Sequence, residues 1–327
     1  MKVAAVVPHW NRRDLLQTLL ANLAQQTRAF DEIIVVDNGS GDDSAAVGER
    51  AGAKVVRLER NLGFAAAVNR GIRTASADWI AILNNDVTLA PDWLSTLLSA
   101  LEKDAEKEPA WFATGKTLMA ADPSRVDGAF DAISQGACAC RCGSGKPDGP
   151  FWNHPRRIRM APMTAGLFQR RLFEEIGYLD ESFESYLEDV DFGIRCAIAG
   201  RWGVYLPAAI AYHQGSSTWG QWNKYSVRLI ARNQLLLTAK YLDGLSRWPI
   251  VAGQLLWGLL ALRHGCAGAY LQGKMAGMRV ARTLRERRPA SENIQAFVRE
   301  SEQTILEVQR QTGFDRYWRA YFWLQGL

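Results

Sequence analysis

The chain of 327 residues has no apolar run long enough to cross a bilayer. Residues 250–262 form a stretch of thirteen residues without a charge, whereas a membrane-spanning helix needs about 20. No signal peptide is expected at the start of this sequence, because the apolar residues 3–7 are too few and polar residues follow them. These absences predict a globular chain that stays in the cytoplasm.

Cysteine and the common nucleotide-binding signatures are scarce as well. Five cysteines, an odd number, indicate reduced thiols rather than a disulfide framework. Cys138, Cys140 and Cys142 are separated by one residue, not by the two that are typical of zinc sites, so we expect unliganded thiols; a metal or redox role is the alternative. No loop carries Gly-x-Gly-x-x-Gly or a phosphate loop ending in Gly-Lys-Ser/Thr, which argues against the usual dinucleotide and P-loop sites.

Positive charge is concentrated in one part of the chain. The net charge is +5, and one stretch holds seven basic residues against the single acid Glu286: Arg263, Lys274, Arg279, Arg282, Arg285, Arg287 and Arg288. The remainder is close to neutral. A general nucleic-acid binder would carry its basic residues along one face of the domain, so no nucleic-acid partner is expected.

Apolar periodicity over the first hundred residues alternates between strands and helices. Strands are predicted at residues 3–7, 33–36, 54–58 and 79–83, with helices at 12–26, 44–51 and 64–74 between them. Single helices between strands indicate a parallel α/β sheet, whose chemistry lies in the loops that follow the strands.

The most informative stretch is Trp-Ile-Ala-Ile-Leu-Asn-Asn-Asp-Val-Thr at residues 79–88, an apolar run that ends in two amides and a carboxylate. Asp86 therefore lies where open α/β sheets bind ligands. An N-cap or turn role is the alternative for Asp86. Asp37, in Asp-Asn-Gly-Ser-Gly, suits hydrogen bonding to a base edge or ribose, or is part of an ordinary turn.

Several ordered motifs resemble one family. Val-Val-Asp-Asn-Gly-Ser at 35–40, Asn-Leu-Gly-Phe-Ala-Ala-Ala-Val-Asn-Arg-Gly at 61–71 and Leu-Asn-Asn-Asp at 83–86 resemble the donor half of the family 2 glycosyltransferases with the GT-A fold. Gly-Tyr-Leu-Asp-Glu-Ser-Phe at 177–183, Tyr-Leu-Glu-Asp-Val-Asp-Phe-Gly-Ile-Arg at 186–195 and Tyr-His at 212–213 resemble its acceptor half. The resemblance covers roughly the first 235 residues.

The resemblance implies a site for a nucleotide-diphospho-sugar. The donor-binding residues it implies are Pro8, Trp10, Asn11, Asp37, Gly63, Asn69, Asn84, Asn85 and Asp86. Trp10 stacks on the nucleobase or covers the sheet edge. Asp86 and His213 are implied ligands of a divalent cation, Mg²⁺ or Mn²⁺, that neutralises the diphosphate. Relatives often have Asp-x-Asp where this chain has Asn84, which weakens the predicted metal site.

The resemblance also implies the catalytic and acceptor residues. Asp189 is the implied general base, and Gly166, Glu188 and Asp191 are implied to contact the acceptor. For Glu188 and Asp191 the alternative is a structural role at the start of a helix, where acids complement the helix dipole. Residues 128–155, rich in Gly, Pro, Cys and Arg, are predicted to be irregular and either to shape the acceptor pocket or to cover the donor.

Composition changes after about residue 235, so residues 1–235 are predicted to be the α/β GT-A domain and 236–327 an α-helical region. Its helices either lie at a membrane interface, pack on the catalytic domain or join a second copy. We expect an inverting glycosyltransferase at the cytoplasmic membrane face that acts on a saccharide or polyprenyl-linked saccharide. The rhamnosyltransferase-like motifs favour dTDP-rhamnose over a UDP-hexose. A sugar nucleotidyltransferase or a non-catalytic binding subunit is the alternative.

Overall fold

The computed structural model describes residues 1–104, 109–215, 222–242, 246–284 and 292–327. The strands are Val3–His9 (β1), Glu32–Asp37 (β2), Lys54–Arg57 (β3), Trp79–Leu83 (β4), Val87–Leu89 (β5), Phe112–Met119 (β6), Asp122–Gly128 (β7), Phe130–Ile133 (β8), Ala139–Cys142 (β9), Arg156–Ile158 (β10), Ala165–Gln169 (β11) and Gly203–His213 (β12). The helices are Arg13–Leu23 (α1), Ser44–Arg50 (α2), Phe64–Thr74 (α3), Trp93–Asp104 (α4), Arg170–Ile176 (α5), Glu188–Ile198 (α6), Lys224–Leu237 (α7), Arg247–Arg263 (α8), Ala267–Leu284 (α9), Glu292–Thr312 (α10) and Arg316–Leu324 (α11).

The central sheet has the strand order β10-β12-β6-β11-β4-β1-β2-β3. Strands β4, β1, β2 and β3 are parallel, whereas β11 runs antiparallel between β4 and β6. The loops after β1, β2 and β4 therefore meet at one edge of the sheet, and β5 pairs with the end of β12 beside them. This arrangement confirms the α/β fold with helices on the sheet.

The elements of the first hundred residues agree with the apolar pattern. Helix α3 has the predicted bounds, and β1 continues two residues further than predicted because Pro8 and His9 still pair with β2. Strand β4 is buried along its whole length, as expected for a strand that is covered on both faces. The predicted strands and helices of this half of the sheet are confirmed.

Residues 128–155 are ordered, so the predicted irregular segment is wrong. Strands β8 and β9 form an antiparallel hairpin, and all four residues of β8 are buried. Cys138, Cys140 and Cys142 pack in the main hydrophobic core together with Phe130 and Trp152. The segment is ordered because its small apolar side chains are buried. Their glycine and arginine neighbours make this burial hard to recognise in the sequence.

The C-terminal helices α10 and α11 pack on this hairpin. Ser301 Oγ accepts the backbone N–H of Ile133 at 2.7 Å, and Tyr321 Oη donates to Glu302 Oε1 at 2.6 Å. Tyr321 and Phe322 belong to the same core as the sheet. Helices α10 and α11 therefore pack on the α/β domain. The domain boundary near residue 235 falls inside α7 and stays a prediction. No described helix is long and apolar enough to cross a membrane.

Candidate active site

A cavity of about 460 Å³ opens where the loops after β1, β2 and β4 face the hairpin and the start of α6. Its size lies within the range of ligand pockets. Predicted site residues contribute much of its wall: Pro8, Trp10, Asn84, Asn85, Asp86, Glu188, Asp189 and His213. The structure thus brings together residues that are more than 200 positions apart in the sequence.

His9, which the sequence left without a role, fixes the orientation of an amide in the cavity. Asn85 Nδ2 lies 2.9 Å from His9 Nδ1, and an amide nitrogen can only donate, so Nδ1 accepts. The proton then lies on His9 Nε2, which donates to Ser44 Oγ at 2.8 Å. Burial lowers the pKa of His9 to about 4, against the opposing charge of Asp37. His9 is therefore a neutral group that holds Asn85.

Asn38 closes the next part of the wall. Its Nδ2 donates to Asn61 Oδ1 at 3.1 Å and to the carbonyl oxygen of Gly63 at 3.0 Å, and its Oδ1 accepts the N–H of Leu62 at 2.9 Å. Asn38 is buried, whereas the sequence reading selected its neighbour Asp37. The sequence did contain a signal for Asn38, because it is a second polar residue directly after β2. This side of the cavity is made of neutral groups. We call its five residues, His9, Asn38, Asn61, Asn84 and Asn85, the amide wall.

Asp86 and His213 lie side by side at the ends of β4 and β12. His213 Nε2 is 3.2 Å from Asp86 Oδ1, and His213 Nδ1 is 2.9 Å from Asp127 Oδ2 on β7. Burial alone would lower the pKa of His213, but hydrogen bonds and charges from Asp127 and Asp86 raise it to about 9. Asp127, which the sequence reading missed, therefore orients the imidazole toward Asp86.

The opposite side of the cavity is charged. It combines Asp131 and Arg141 from the hairpin with Glu188 and Asp189 from α6, and we call these four residues the acidic wall. Burial raises the pKa of Asp131 to about 7, and the charge of Asp189 adds to the effect. Burial also raises the pKa of Glu188 and of Asp189, while Arg141 opposes the shift at Asp189.

Arg141 belongs to this wall. Among the described residues that line the whole cavity, it is the one lysine or arginine. Its Nη1 lies 3.5 Å from Asp127 Oδ2. Glu188 Oε2 is buried and has no hydrogen-bond partner among the described residues. An unpaired buried carboxyl oxygen is costly unless it is protonated or meets a ligand.

The loop before Asp189 has a strained backbone. Glu184, Tyr186 and Leu187 have φ values of 61°, 69° and 67°, which are rare for residues other than glycine. The side-chain nitrogen of Asn233 on α7 lies 2.9 Å from the carbonyl oxygen of Phe183, 3.0 Å from that of Ser185 and 2.7 Å from that of Tyr186. Strain of this kind persists where the surroundings hold it, and it clusters at functional sites. Asn233 is a further residue that the sequence reading missed.

Four predicted donor residues do not line the cavity. Asn11 and Asp37 shape the loops behind it: the N–H of Asn11 donates to Ser40 Oγ, and Asp37 Oδ1 accepts the N–H of Ser40. Gly63 has φ 92° and sits where a Cβ would lie 2.5 Å from the carbonyl oxygen of Glu184. Asn69 is buried and bonds to the backbone of Leu179 in both directions.

Two predicted acceptor residues also lie away from the cavity. Gly166 pairs with Ile82 and Thr114 inside the sheet. Asp191 is fully buried: Oδ2 accepts from Arg195 Nε at 3.0 Å, Oδ1 accepts from Tyr241 Oη at 2.7 Å, and Lys240 contacts the same oxygen. Asp191 therefore ties α6 to the end of α7, the structural alternative that its position on a helix left open.

Family models match most of the folded chain. Residues 4–107 match the model "Glycosyl transferase family 2", and residues 79–272 match "Glycosyl transferase family group 2". The second match spans more than half of the chain. The chain belongs to the family 2 glycosyltransferases.

Named relatives of this glycosyltransferase include two bacterial proteins. It is 30% identical over 232 residues to N-acetylglucosaminyl-diphospho-decaprenol L-rhamnosyltransferase of Mycobacterium tuberculosis, with 62% of this chain and 73% of the relative covered. It is 28% identical over 219 residues to the O-antigen biosynthesis protein RfbC of Myxococcus xanthus, which covers 61% of this chain but 16% of that one.

Solved structures confirm the GT-A-like fold. GalNAc-T7 with UDP, GalNAc and Mn²⁺ has a TM-score of 0.64 and 15% identity, and the match covers 96% of this chain and 58% of that one. The mannosyltransferase PcManGT of Pyrobaculum calidifontis with GDP-Man and Mn²⁺ has a TM-score of 0.53 and 16% identity, covering 98% and 85%. At these identities the likeness concerns the fold.

The residues at the end of β4 fit a divalent cation of the kind that the family implies. Asp86 Oδ1 and His213 Nε2 lie 3.2 Å apart and face the cavity. Mg²⁺ and Mn²⁺ take one or two protein ligands together with substrate phosphate oxygens. Asp127 holds the other nitrogen of His213, as is usual for histidine ligands of metals. Because the pKa of His213 is raised to about 9, a cation would have to displace the proton from Nε2 in order to bind there. The described residues contain no cluster of three or more metal-binding side chains, so substrate oxygens would have to supply the other ligands.

Proposed function

We propose that this glycosyltransferase moves a sugar from a nucleotide-diphospho-sugar to a hydroxyl of a saccharide or lipid-linked saccharide, with inversion at the anomeric carbon. The observation that supports it best is the pairing of Asp189 and Asp86 across one cavity, one suited to the acceptor proton and the other to the diphosphate. Such a division fits a single displacement, in which the acceptor oxygen attacks as the nucleotide diphosphate departs.

Asp189 acts as the general base. Its carboxylate is partly buried, and burial raises its pKa, so that it binds a proton more readily than an ordinary aspartate. The C–O bond to the diphosphate breaks while the bond from the acceptor oxygen forms, and the acceptor proton moves to Asp189. The positive charge of Arg141 lowers the pKa of Asp189 and so opposes the rise that burial causes.

Asp86, His213 and Arg141 receive the diphosphate. Asp86 and His213 would hold a divalent cation, which would neutralise negative charge on the leaving diphosphate. Arg141, the lining cation within the described part of the chain, donates to the same oxygens. The amide wall and Trp10 hold the nucleoside, since neutral amides can bond a base or a ribose without the cost of burying charge.

The proposed donor and acceptor are taken from a named relative. Identity to a decaprenyl-diphosphate-linked rhamnosyltransferase favours dTDP-rhamnose as the donor, a UDP-hexose as the second choice, and a polyprenyl-linked saccharide in cell-surface polysaccharide assembly as the acceptor. The cytoplasmic membrane face is the place where both substrates meet.

Turnover across a panel of nucleotide sugars tests the proposal. The purified chain is incubated with each donor, with Mn²⁺, with Mg²⁺ or with a chelator, and released nucleotide diphosphate is measured. We expect one donor to be hydrolysed slowly without an acceptor, and hydrolysis to stop with chelator. Binding of nucleotide sugar without turnover would favour a non-catalytic binding subunit. Release of pyrophosphate from a nucleoside triphosphate and a sugar phosphate would favour a nucleotidyltransferase.

A further inference from the structure

Helices α8 and α9 expose an unusual number of large apolar side chains. Each is between 45% and 63% exposed: Trp248, Val251, Leu255, Leu259 and Leu262 on α8, and Leu271, Met275 and Met278 on α9. Successive members of each set are three or four residues apart, which places each set on one face of its helix. Single exposed leucines are ordinary, but a contiguous group of this size marks an interaction surface.

Both sets lie on the same side of the helix pair. The helices turn back on each other at residues 264–266, with Gln254 in contact with Lys274, and Gly258 against the Tyr270 ring. On both helices an exposed apolar residue follows each contact residue by one position: Leu255 follows Gln254, Leu259 follows Gly258, Leu271 follows Tyr270 and Met275 follows Lys274. In an antiparallel pair, that offset points to the same side from both helices. We call these eight residues the apolar face.

The other sides of the two helices are occupied. On α8, Gln254 Nε2 donates to the carbonyl oxygen of Gly136 at 2.8 Å, which joins the helix to the hairpin. On α9, Gly273 and Gly277 lie against the carbonyl oxygens of Arg228 and Arg232, where a Cβ would come within 2.2 and 2.7 Å. Both helices are thus fixed on the catalytic domain with the apolar face directed outward.

The face continues onto α11. Trp323 is 76% exposed, and Trp248 Nε1 donates to the carbonyl oxygen of Leu324 at 2.9 Å, which places the two tryptophan-bearing turns next to each other. Arg316 and Arg319 are exposed on the same side of α11 as Trp323. Tryptophan and arginine together are typical of the boundary between lipid headgroups and acyl chains.

Charge distinguishes a lipid surface from a second copy of the chain. Residues 246–284 contain no aspartate or glutamate, while Arg247, Arg263, Arg279 and Arg282 are exposed at the ends and borders of the face. A two-fold contact between copies would bring these like charges together, because each copy presents the same patch. Anionic headgroups complement them, with a gain of about 1 kcal/mol for each basic residue near the surface.

A basic cavity lies at the edge of this face. Its volume is about 450 Å³, and it is lined by Lys224, Tyr225 and Arg228 of α7 and by the first turns of α9. Tyr225 forms part of the wall of this cavity and of the active-site cavity as well. Glu184, whose charge acts on Tyr225, pairs with Arg232 Nη2 at 3.5 Å.

We infer that the apolar face docks on a membrane leaflet containing anionic lipids, and that docking brings Lys224 and Arg228 to lipid phosphates beside the active site. The apolar side chains enter the interface, and the arginines at the border meet the headgroups. Docking of the apolar face does not depend on the proposed function. Only the role of the basic cavity rests on it, because a lipid-linked acceptor would reach the active site along this edge.

Vesicle flotation tests the docking. The chain is mixed with phosphatidylcholine vesicles, with or without phosphatidylglycerol, and the bound fraction is measured. The double variant Leu255→Glu with Leu259→Glu should bind both vesicle types about 100-fold more weakly, because two leucines are lost from the interface. Both positions are about 60% exposed, at 63% and 60%, so the fold should tolerate the change.

A matched control carries the same change in net charge on α10. Gln303→Glu with Arg310→Gln alters two exposed positions of that helix and should leave vesicle binding unchanged. Equal binding by the wild type and the Leu255/Leu259 variant would overturn the inference. A wild-type dimer that the same variant disperses, without vesicle binding, would also overturn it in favour of a second copy.

The basic cavity has its own variant. Lys224→Gln with Arg228→Gln should weaken binding to phosphatidylglycerol vesicles about tenfold and leave binding to pure phosphatidylcholine unchanged. An equal loss on both lipids would contradict the assigned role of the cavity. Hydrolysis of the donor without vesicles is measured in parallel: its absence in a wild-type chain that still floats would refute the proposed function and leave the docking intact.

Discussion

The two walls of the active-site cavity differ in composition and in origin. The amide wall is neutral, and its residues lie at the ends of parallel strands, directly after them or in the turn before α3. The acidic wall is charged, and its residues come from a hairpin and a helix start that are distant in sequence. Neutral amides suit the recognition of a nucleoside, whereas carboxylates with raised pKa values suit proton transfer. The comparison suggests that binding and chemistry are divided between the walls.

The largest effect is expected at Asp189. Asp189→Asn keeps the size of the side chain but removes the base, so sugar transfer should fall by about 10³-fold, within the range for general bases. Initial rates with the best donor measure it. Asp122→Asn, an exposed aspartate on β7, is the control. A variant at 189 that retains most of its activity would assign the base to another member of the acidic wall.

Asn233→Ala should displace the acidic wall, although Asn233 is not one of its residues, because Asn233 holds the loop that precedes Asp189. The change leaves buried carbonyl oxygens of the 183–186 loop without a donor, at a cost of about 3 kcal/mol in unfolding free energy. Urea unfolding measures the loss. Below the unfolding transition, kcat should fall while the KM for the donor stays near the wild-type value, because the loop carries Asp189 and not the amide wall. A rise in donor KM with unchanged kcat would contradict this.

The role of His9 in the amide wall can be tested by measuring how the free energy of unfolding depends on pH. The pKa of His9 in the folded chain is about 4, against an ordinary value near 6.5, so the unfolded chain takes up a proton first as the pH falls. The free energy of unfolding therefore keeps its full value, as far as His9 is concerned, above pH 6.5. It falls as the pH drops from 6.5 toward 4, and the loss is about 2 kcal/mol at pH 5. His9→Asn should remove this part of the acid slope, and the exposed His154→Asn should not. Identical slopes for all three proteins would contradict it.

Asp127 should have the smallest effect of the four. Asp127→Asn removes the anion that orients His213 and should weaken Mn²⁺ activation about tenfold, as expected for a partner of a metal-binding histidine. Titration of transfer activity with Mn²⁺ measures it. Saturating Mn²⁺ should restore most of the activity. An unchanged Mn²⁺ requirement would show that His213 does not hold the cation.

Sequence analysis selected part of each wall: Asn84 and Asn85 of the amide wall, and Glu188 and Asp189 of the acidic wall. In a parallel sheet the loop after each strand lies at the same edge, so the apolar run that ends at residue 83 locates Asn84 and Asn85, whereas the run that ends at residue 36 led to Asp37 and missed its neighbour Asn38. Asp131 and Arg141 reach the cavity only because the β8–β9 hairpin folds over it. A single carboxylate inside the apolar run at residues 129–133 was the available signal for Asp131.

Helix direction explains the two remaining differences. Asp191 lies two positions after Asp189, so it points away from the cavity and pairs with Arg195 one turn later. Asn233 occupies a buried position on α7 between Leu229 and Leu236. A polar residue on an apolar helix face is visible in the sequence, but its partners, the carbonyl oxygens of residues 183–186, are set by tertiary packing.

Binding and turnover measured together test the division between the walls most directly. Calorimetric titration with the preferred nucleotide diphosphate and Mn²⁺ is compared for the wild type, Asp189→Asn and Trp10→Ala, alongside transfer rates. We expect Asp189→Asn to bind the nucleotide as the wild type does and to lose transfer. Trp10→Ala should bind it about tenfold more weakly, because base stacking is lost. Loss of nucleotide binding in Asp189→Asn, with full binding in Trp10→Ala, would contradict the account.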